Sequence, residues 1–411
     1  MSTHRELFLR HVAQTSPAPL ALEIERAEGS YLFDASGKRY TDLIAGISVS
    51  NVGHRHPHVL AAIHAQLDKY MHLMVYGEYV QTPQVRLAQK LASLLPAPLD
   101  CTYFTNSGTE AIDGALKLAK RVTGRSQLIS FRNAYHGSTH GPLSIMGSET
   151  FKTAFRPLLP DTFILDYNDF GQLQHITERT AAVVIEAVQA ESGAIVPAAG
   201  FLEAVRARCT ETGTLLILDE IQTGFGRTGK LFALEHSGIV PDVICLAKGM
   251  GGGLPIGAFV ASAQHMQAFT DKPVLGHITT FGGNAVCCAA ALGVIEVLEN
   301  ENLAAGVAER EAVVREILVH PAIHEVRGKG LLLAVVFTDF AFNKKVIDEA
   351  IARGIITDWF LFCDNALRIA PPLNISVDEL RRSCKIILES IDACLSSTTA
   401  QTDKSFFDHK A

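Results

Sequence analysis

The chain has 411 residues, 48% of them hydrophobic, with 32 glycines, 16 prolines and a formal net charge of −7. That length exceeds one ordinary domain and predicts a large domain with a smaller one. The acidic balance excludes nucleic acid as main partner, because phosphate neutralisation needs a basic surface, and no apolar stretch approaches the ~18 residues of a membrane span. Met1–Arg10 carries charges and no apolar core, unlike a secretory signal. The eight cysteines form no CxxC and sit in apolar segments such as Val243-Ile244-Cys245-Leu246, as small buried hydrophobes of a reducing cytoplasm do.

In chain order, Tyr31-Leu32-Phe33-Asp34 turns through Ser36-Gly37 to Arg39-Tyr40 and predicts a hairpin. His54-Arg55-His56-Pro57-His58 has neither the i,i+4 spacing of a helical metal site nor a finger pattern, so no metal is expected. From Cys101 onward, short apolar runs alternate with helix-length segments. The runs are Cys101–Thr105, Gln127–Phe131, Thr162–Leu165, Ala181–Ile185, Thr214–Leu218, Asp242–Leu246 and Gly257–Ala261. Runs apolar almost throughout are strands covered on both faces, and helices such as Gly108–Arg121 and Gly200–Thr212 imply βαβ crossovers. The fold class is therefore α/β, with a mainly parallel seven-stranded sheet. Beyond residue 305 come a helix, a strand pair within Ile323–Thr338 broken at Gly328-Lys329-Gly330, a helix from Lys344, a strand near Ala366–Ile369 and a helix from Ser376. The expected division is a large domain over 56–305 and a smaller α+β domain over 306–395, joined by the N-terminal segment 1–55. The polar stretch 396–411 is expected to be unstructured.

Ligands of a parallel sheet bind beyond its carboxyl strand ends, so the residues there are the candidates for chemistry. The first run leads into Thr105-Asn106-Ser107-Gly108-Thr109-Glu110, small residues opening a helix and suited to a phosphate, although Ser107-Gly108-Thr109 alone reads equally as an N-cap. Later runs deliver Glu186 with Gln189 and Glu191, then Asp219 and Glu220, and finally Lys248 before Gly249-Met250-Gly251-Gly252-Gly253. A lysine in such a place is desolvated, its pKa falls, and its amine becomes a nucleophile able to form an imine. Asp219 is placed to pair with a protonated pyridine nitrogen. Two decoys lie nearby. Gly224-Phe225-Gly226-Arg227-Thr228-Gly229 matches GxGxxG without directly following a strand, and a P-loop beginning at Gly224 would have Leu231 where a hydroxyl must hold Mg²⁺.

With these residues in hand, the sequence resembles the class III pyridoxal-phosphate aminotransferases, the group of the ornithine, acetylornithine and 4-aminobutyrate enzymes. The likeness runs from Asp34-Ala35-Ser36-Gly37-Lys38-Arg39-Tyr40 to Leu367-Arg368-Ile369-Ala370-Pro371-Pro372-Leu373. Its most specific stretches are Asn106-Ser107-Gly108-Thr109-Glu110-Ala111, Leu218-Asp219-Glu220-Ile221-Gln222-Thr223-Gly224, Ala247-Lys248-Gly249 and Thr280-Phe281-Gly282-Gly283-Asn284. The resemblance implies fold type I and pyridoxal 5′-phosphate as cofactor. Lys248 becomes the Schiff-base lysine and the proton shuttle between Cα and C4′, Asp219 the partner of the pyridine nitrogen and Gln222 a contact to the ring hydroxyl. Tyr135 and Ile221 flank the ring, Ser107, Gly108 and Thr109 hold the phosphate, and His136 and Glu186 join the cofactor site. Thr280 implies a homodimer, since it matches a phosphate contact given by the neighbouring subunit. Arg368 matches the arginine gripping the α-carboxylate of glutamate or 2-oxoglutarate, and Glu191 the acid that covers it when an ω-amine enters.

The implied activity is transfer of an amino group from an amino acid or ω-amine to a 2-oxo acid, with 2-oxoglutarate as acceptor, by a ping-pong Schiff-base route. An aminomutase, a racemase, a decarboxylating transaminase or a non-catalytic cofactor-binding protein would share the same lysine, aspartate and phosphate loop. The sequence also departs from the family. The Glu-Pro-x-Gln-Gly-Glu segment is Glu186-Ala187-Val188-Gln189-Ala190-Glu191 here. Many members have Phe-His-Gly-Arg-Thr, whose arginine binds a distal carboxylate, where this chain has Tyr135-His136-Gly137-Ser138-Thr139, and Ile47 stands where ornithine aminotransferases carry a substrate-gripping tyrosine. Arg132 is the nearby candidate to replace the lost charge.

Overall fold

A computed structural model describes residues 3–407, with side chains as far as Ser396. At its centre is a seven-stranded sheet in the order Cys101–Thr105, Gly257–Ala261, Val243–Leu246, Leu215–Asp219, Thr180–Glu186, Gln127–Phe131 and Thr162–Leu165. Only Gly257–Ala261 runs against its neighbours, so the other six strands end at one edge. Gly257–Ala261, Gln127–Phe131 and the three strands between them are buried along their length, as runs without polar alternation require. The edge strands Cys101–Thr105 and Thr162–Leu165 are only half-buried, because one side of an edge strand has no neighbour to cover it.

Helix Gly108–Thr123 buries Ile112, Ala115, Leu116 and Ala119 at the spacing of one helical face, against this sheet, and ends on Gly124 in the left-handed conformation at φ 68°. The N-terminal hairpin forms as expected, between Tyr31–Asp34 and Arg39–Asp42, and Ile24–Glu28 adds a third strand. The fourth strand of that sheet, Ile355–Ile356, comes from the far end of the chain and pairs parallel to Arg39–Asp42. A further antiparallel sheet joins Glu325–Lys329, Leu332–Val336, Cys363–Ile369 and Trp359–Phe360. One helix starts at Phe340 rather than Lys344, because Asp339 caps it by accepting from the Phe342 amide at 2.8 Å. Where an unstructured tail was expected, helix Val377–Phe407 continues past Leu395, each added residue extending an existing hydrogen-bonded ladder; residues 408–411 lie outside the described residues.

The GxGxxG segment has a structural task. Arg227 is fully buried and donates to the carbonyls of Leu331 and Pro371 at 2.9 and 2.6 Å and to Asn51 Oδ1. Asn51 Nδ2 in turn donates to the Phe225 carbonyl at 2.9 Å. One side chain thus ties the N-terminal segment, the central domain and the C-terminal sheet together. Burial pushes its pKa down to about 9, with the charge of Asp42 acting in the opposite direction. The three histidines at residues 54–58 diverge to three carboxylates: His54 to Asp42 at 2.7 Å, His56 to Glu301 at 2.9 Å and His58 to Glu296 at 2.7 Å.

Arg227→Ala takes the guanidinium from two carbonyls and from Asn51 Oδ1 in the interior. We expect a loss of roughly 2–4 kcal/mol in stability, read as a lower thermal midpoint; an unchanged midpoint overturns the structural role of Arg227.

Candidate active site

In-register parallel pairing builds the site floor: Glu186 lies opposite Asp219, and Asp219 opposite Cys245, three residues before Lys248. Above this floor is a cavity of about 640 Å³, lined by Ser107, Gly108, Thr109, Tyr135, His136 and Glu186 among others, together with Asp219, Ile221, Gln222, Lys248 and Glu191. All but two of the sequence-assigned site residues meet in this cavity. Arg368 lines an adjoining cavity of about 420 Å³ that shares Tyr135, Glu191 and Lys248. Thr280 is exposed on its own chain and lines neither.

Asp219 is the last residue of its strand, nearly closed to solvent, with each oxygen engaged. Oδ1 accepts from the Ile221 amide at 2.9 Å, and Oδ2 bonds His136 Nδ1 at 2.7 Å. The other nitrogen of His136 meets Ser130 Oγ at 3.2 Å, which fixes the ring. Burial pushes the His136 pKa down, but the bond and charge of Asp219, with the charge of Glu186, outweigh it and leave it raised. His136 therefore reaches the site by orienting Asp219. Glu186 accepts from the amides of Tyr135 and Ala190 at 3.2 and 2.9 Å, and burial raises its pKa to about 7. Glu220 does not line the cavity; it anchors the loop at Ala233 and Leu234 through bonds of 2.7 and 2.6 Å.

Lys248 opens a short 3-10 turn with φ 41°, a strained conformation for a residue with a side chain. Its Nζ donates to Gln222 Oε1 at 2.8 Å, while Gln222 Nε2 is buried without a partner among the described residues. Burial lowers the Lys248 pKa, Glu191 pulls it back, and the Arg368 charge lowers it further. The amine is thereby shifted toward its neutral, nucleophilic form.

Ser107 caps helix Gly108–Thr123, its hydroxyl accepting from the Glu110 amide at 3.4 Å. The first-turn amides of Gly108 and Thr109 have no intrahelical acceptor, and both residues line the cavity, an arrangement suited to an anion. Thr109 Oγ1 meets Thr139 Oγ1 at 2.7 Å, and Thr139 donates to Asp113 at 2.5 Å, which steadies this turn. Gly257 is a residue that pattern reading missed. A Cβ there would stand 2.2 Å from the Ser107 carbonyl oxygen and 2.5 Å from Thr105 Oγ1.

Arg368 and Glu191 form a bidentate pair, with Nη1 and Nη2 donating to the two carboxylate oxygens at 2.9 and 3.0 Å. A second acid, Asp358, is bound at the arginine's Nε at 2.8 Å and carried no signal in the sequence. Burial raises the Asp358 pKa to about 6, with the Arg368 charge working against it. Ile47 lines the same adjoining cavity from a left-handed turn at φ 63°. Arg132 does not replace the missing arginine at Ser138: it pairs with Asp166 on the surface and lines neither cavity. Ser138 instead meets the Tyr135 hydroxyl at 3.2 Å.

Residues 12–391 match the family described as Aminotransferase class-III. The chain is 38% identical over 369 residues to an acetylornithine aminotransferase of Methanopyrus kandleri, covering 89% of this chain and 93% of that protein. It is also 38% identical over 384 residues to the acetylornithine aminotransferase of Archaeoglobus fulgidus, covering 92% and 98%. Among solved structures, the ornithine aminotransferase of Toxoplasma gondii, described with partial occupancy of pyridoxal phosphate at its active site, superposes with a TM-score of 0.89. It shares 30% identity, over 95% of this chain and 94% of that one.

Because a Cβ on Gly257 would collide with the Ser107 turn, Gly257→Ala must displace backbone there, at a cost of roughly 1–3 kcal/mol. We expect affinity for pyridoxal phosphate to fall about five- to hundredfold on that basis, measured by titration of the apoenzyme; unchanged affinity removes the turn from the anion site.

Proposed function

We propose that this chain, which belongs to the aminotransferase class-III family, moves an amino group from an amino acid or ω-amine of the acetylornithine, ornithine or 4-aminobutyrate kind to 2-oxoglutarate, in two half-reactions of the ping-pong type. It is a transaminase of fold type I, and its cofactor is pyridoxal 5′-phosphate. The observation that carries the proposal is one cavity lined by Lys248, Asp219 and Gln222, with the Arg368–Glu191 pair at its side.

The residues fit the cofactor. The unpartnered Gln222 Nε2 offers a donor for a ring hydroxyl, the Ser107–Thr109 turn offers amides and hydroxyls for a phosphate, and Asp219 offers an acceptor for a pyridinium N–H. Tyr135 and Ile221 are assigned to its two ring faces. When bound, pyridoxal phosphate supplies an aldehyde that an amine can join and a ring that draws electrons from the substrate's Cα. Lys248 Nζ, with its lowered pKa, serves as the covalent anchor and takes the proton from Cα. His136 keeps Asp219 in place while this occurs. Arg368 receives the α-carboxylate of an oxo acid in the fork now filled by Glu191, and Glu191 stays on Arg368 when the amine carries no carboxylate there.

The names of the two archaeal relatives support acetylornithine as donor, whereas Ser138 and the surface position of Arg132 leave its distal carboxylate without a guanidinium from either place. We assign the chain to a homodimer. Support comes from Val274, Ile278 and Phe281, large apolar side chains left exposed on either side of Thr280 in the chain. Thr280 would then contact the partner's phosphate. A cytoplasmic location is supported by Cys209, Cys245, Cys288 and Cys384, which are buried thiols, and no helix among the described residues is long and apolar enough to cross a membrane.

Lys248→Ala should abolish both turnover and the absorbance of the covalently held cofactor; retained turnover overturns the assignment. A panel of amine donors against 2-oxoglutarate and pyruvate, read by change of cofactor absorbance, identifies the substrates. Phe281→Asp should shift the protein to a monomer in light scattering, with activity lost; a dimer of normal activity removes this surface from the interface.

A further inference from the structure

Three parts of the Arg368 guanidinium have three different occupants. The edge formed by Nη1 and Nη2 holds Glu191. The Nε position holds Asp358 at 2.8 Å. The flat face lies over the Phe360 ring, 4.3 Å from its centroid, and Nη2 also donates to the Trp359 carbonyl at 3.2 Å. The other edge able to offer two parallel N–H groups, Nε with Nη2, is taken by Asp358 and the Trp359 carbonyl, so a substrate carboxylate binding in the Nη1–Nη2 fork displaces Glu191 and not Asp358.

The two acids also differ in how they are held. Glu191 arrives on a loop that follows strand Thr180–Glu186, and it meets this ribbon through two amides, Phe362 donating to its carbonyl at 3.0 Å and Leu361 to its Oε2 at 3.1 Å. Asp358 belongs to the same antiparallel ribbon as Arg368. The Arg368 amide donates to the Asp358 carbonyl at 2.9 Å, Thr357 Oγ1 donates to the Arg368 carbonyl at 2.7 Å, and Trp359 pairs with Leu367. Asp358 and Arg368 therefore move as one piece, and both line the cavity that reaches Lys248.

We propose that Asp358 is the positioning residue of the oxo-acid site, holding Arg368 by Nε so that its Nη edge stays presented to the cavity when Glu191 leaves. This rests on the assignment of Arg368 to the substrate carboxylate. An arginine released by Glu191 would otherwise keep only a carbonyl and a ring face as partners, and its long stem would leave the binding geometry before a substrate arrived. A side chain that merely stabilised the ribbon would serve both half-reactions alike. A positioning residue for Arg368 serves the half-reaction in which a carboxylate sits on that arginine.

The test compares half-reactions of the holoenzyme by stopped-flow absorbance. One uses a primary amine without an α-carboxylate; the other uses 2-oxoglutarate added to enzyme that has already taken an amino group from a donor. In Asp358→Ala, or Asp358→Ser should the alanine variant not fold, the half-saturating concentration of 2-oxoglutarate should rise about tenfold or more, as expected for loss of a charge-assisted hydrogen bond. The amine half-reaction should change by less than about a third of that factor, and Asp358→Asn, which keeps an acceptor for Nε, should recover most of the loss. Equal losses in both half-reactions, no rise for 2-oxoglutarate, or failure of asparagine to do better than alanine overturns the proposal. If the unaltered enzyme does not react with 2-oxoglutarate at all, the proposed acceptor falls and this inference with it. If it does react and the Asp358 variants match it, this inference falls alone.

Discussion

Parallel pairing in register is the constraint from which the site follows. Once Thr180–Glu186, Leu215–Asp219 and Val243–Leu246 lie side by side with Glu186 opposite Asp219 and Asp219 opposite Cys245, their carboxyl ends must share one small volume. A one-residue slip would turn Asp219 to the other sheet face and separate it from His136. The apolar runs that hold this register are buried on both faces, so the register is paid for by the same contacts that form the core.

Putting so many ionisable groups at the end of an apolar sheet creates an electrostatic problem, and the neighbouring residues answer it in two ways. Where a partner of opposite charge is in contact, as for Arg368 between Glu191 and Asp358 or His136 on Asp219, pairing outweighs desolvation and the charged form of the cation is favoured. Where burial dominates, the charge is weakened: Lys248 is pushed down, and Glu186 up to about 7. Lys248, the proposed nucleophile, is the cation given a neutral amide, Gln222, as its direct partner, rather than a carboxylate. Removing one member of a buried bidentate pair costs roughly 3–5 kcal/mol, and Arg368, paired at Nε with Asp358 as well as with Glu191, keeps one acid when the other is removed.

Much of the site was legible because small-residue and charged punctuation at strand ends is a local pattern. Ser107-Gly108-Thr109, Asp219 and Lys248 follow apolar runs directly, and the sheet brings them together. Asp358 was not legible, since nothing in Thr357-Asp358-Trp359 marks it until Trp359 pairs with Leu367 and sets the acid against Arg368 Nε. Gly257 was likewise silent, because its need to be glycine comes from the Ser107 carbonyl of a distant segment. Arg227 sat inside a motif read for phosphate chemistry and discarded, and only the packing of three segments revealed what it binds.

By itself, the sequence determined the α/β class, the strands and crossover helices, and it singled out Lys248, Asp219 and the Ser107–Thr109 turn as candidates at strand ends, because burial pattern and turn chemistry act over a few residues. The tertiary structure alone decided that the first and last parts of the chain share a sheet through Ile355–Ile356 and Arg39–Asp42, that Arg132 faces Asp166 away from the cavity, and that Arg368 has two acids rather than one. These depend on which surfaces meet after long stretches of chain have folded back. No local propensity encodes that outcome, because the free energy that selects it comes from burying distant side chains against one another.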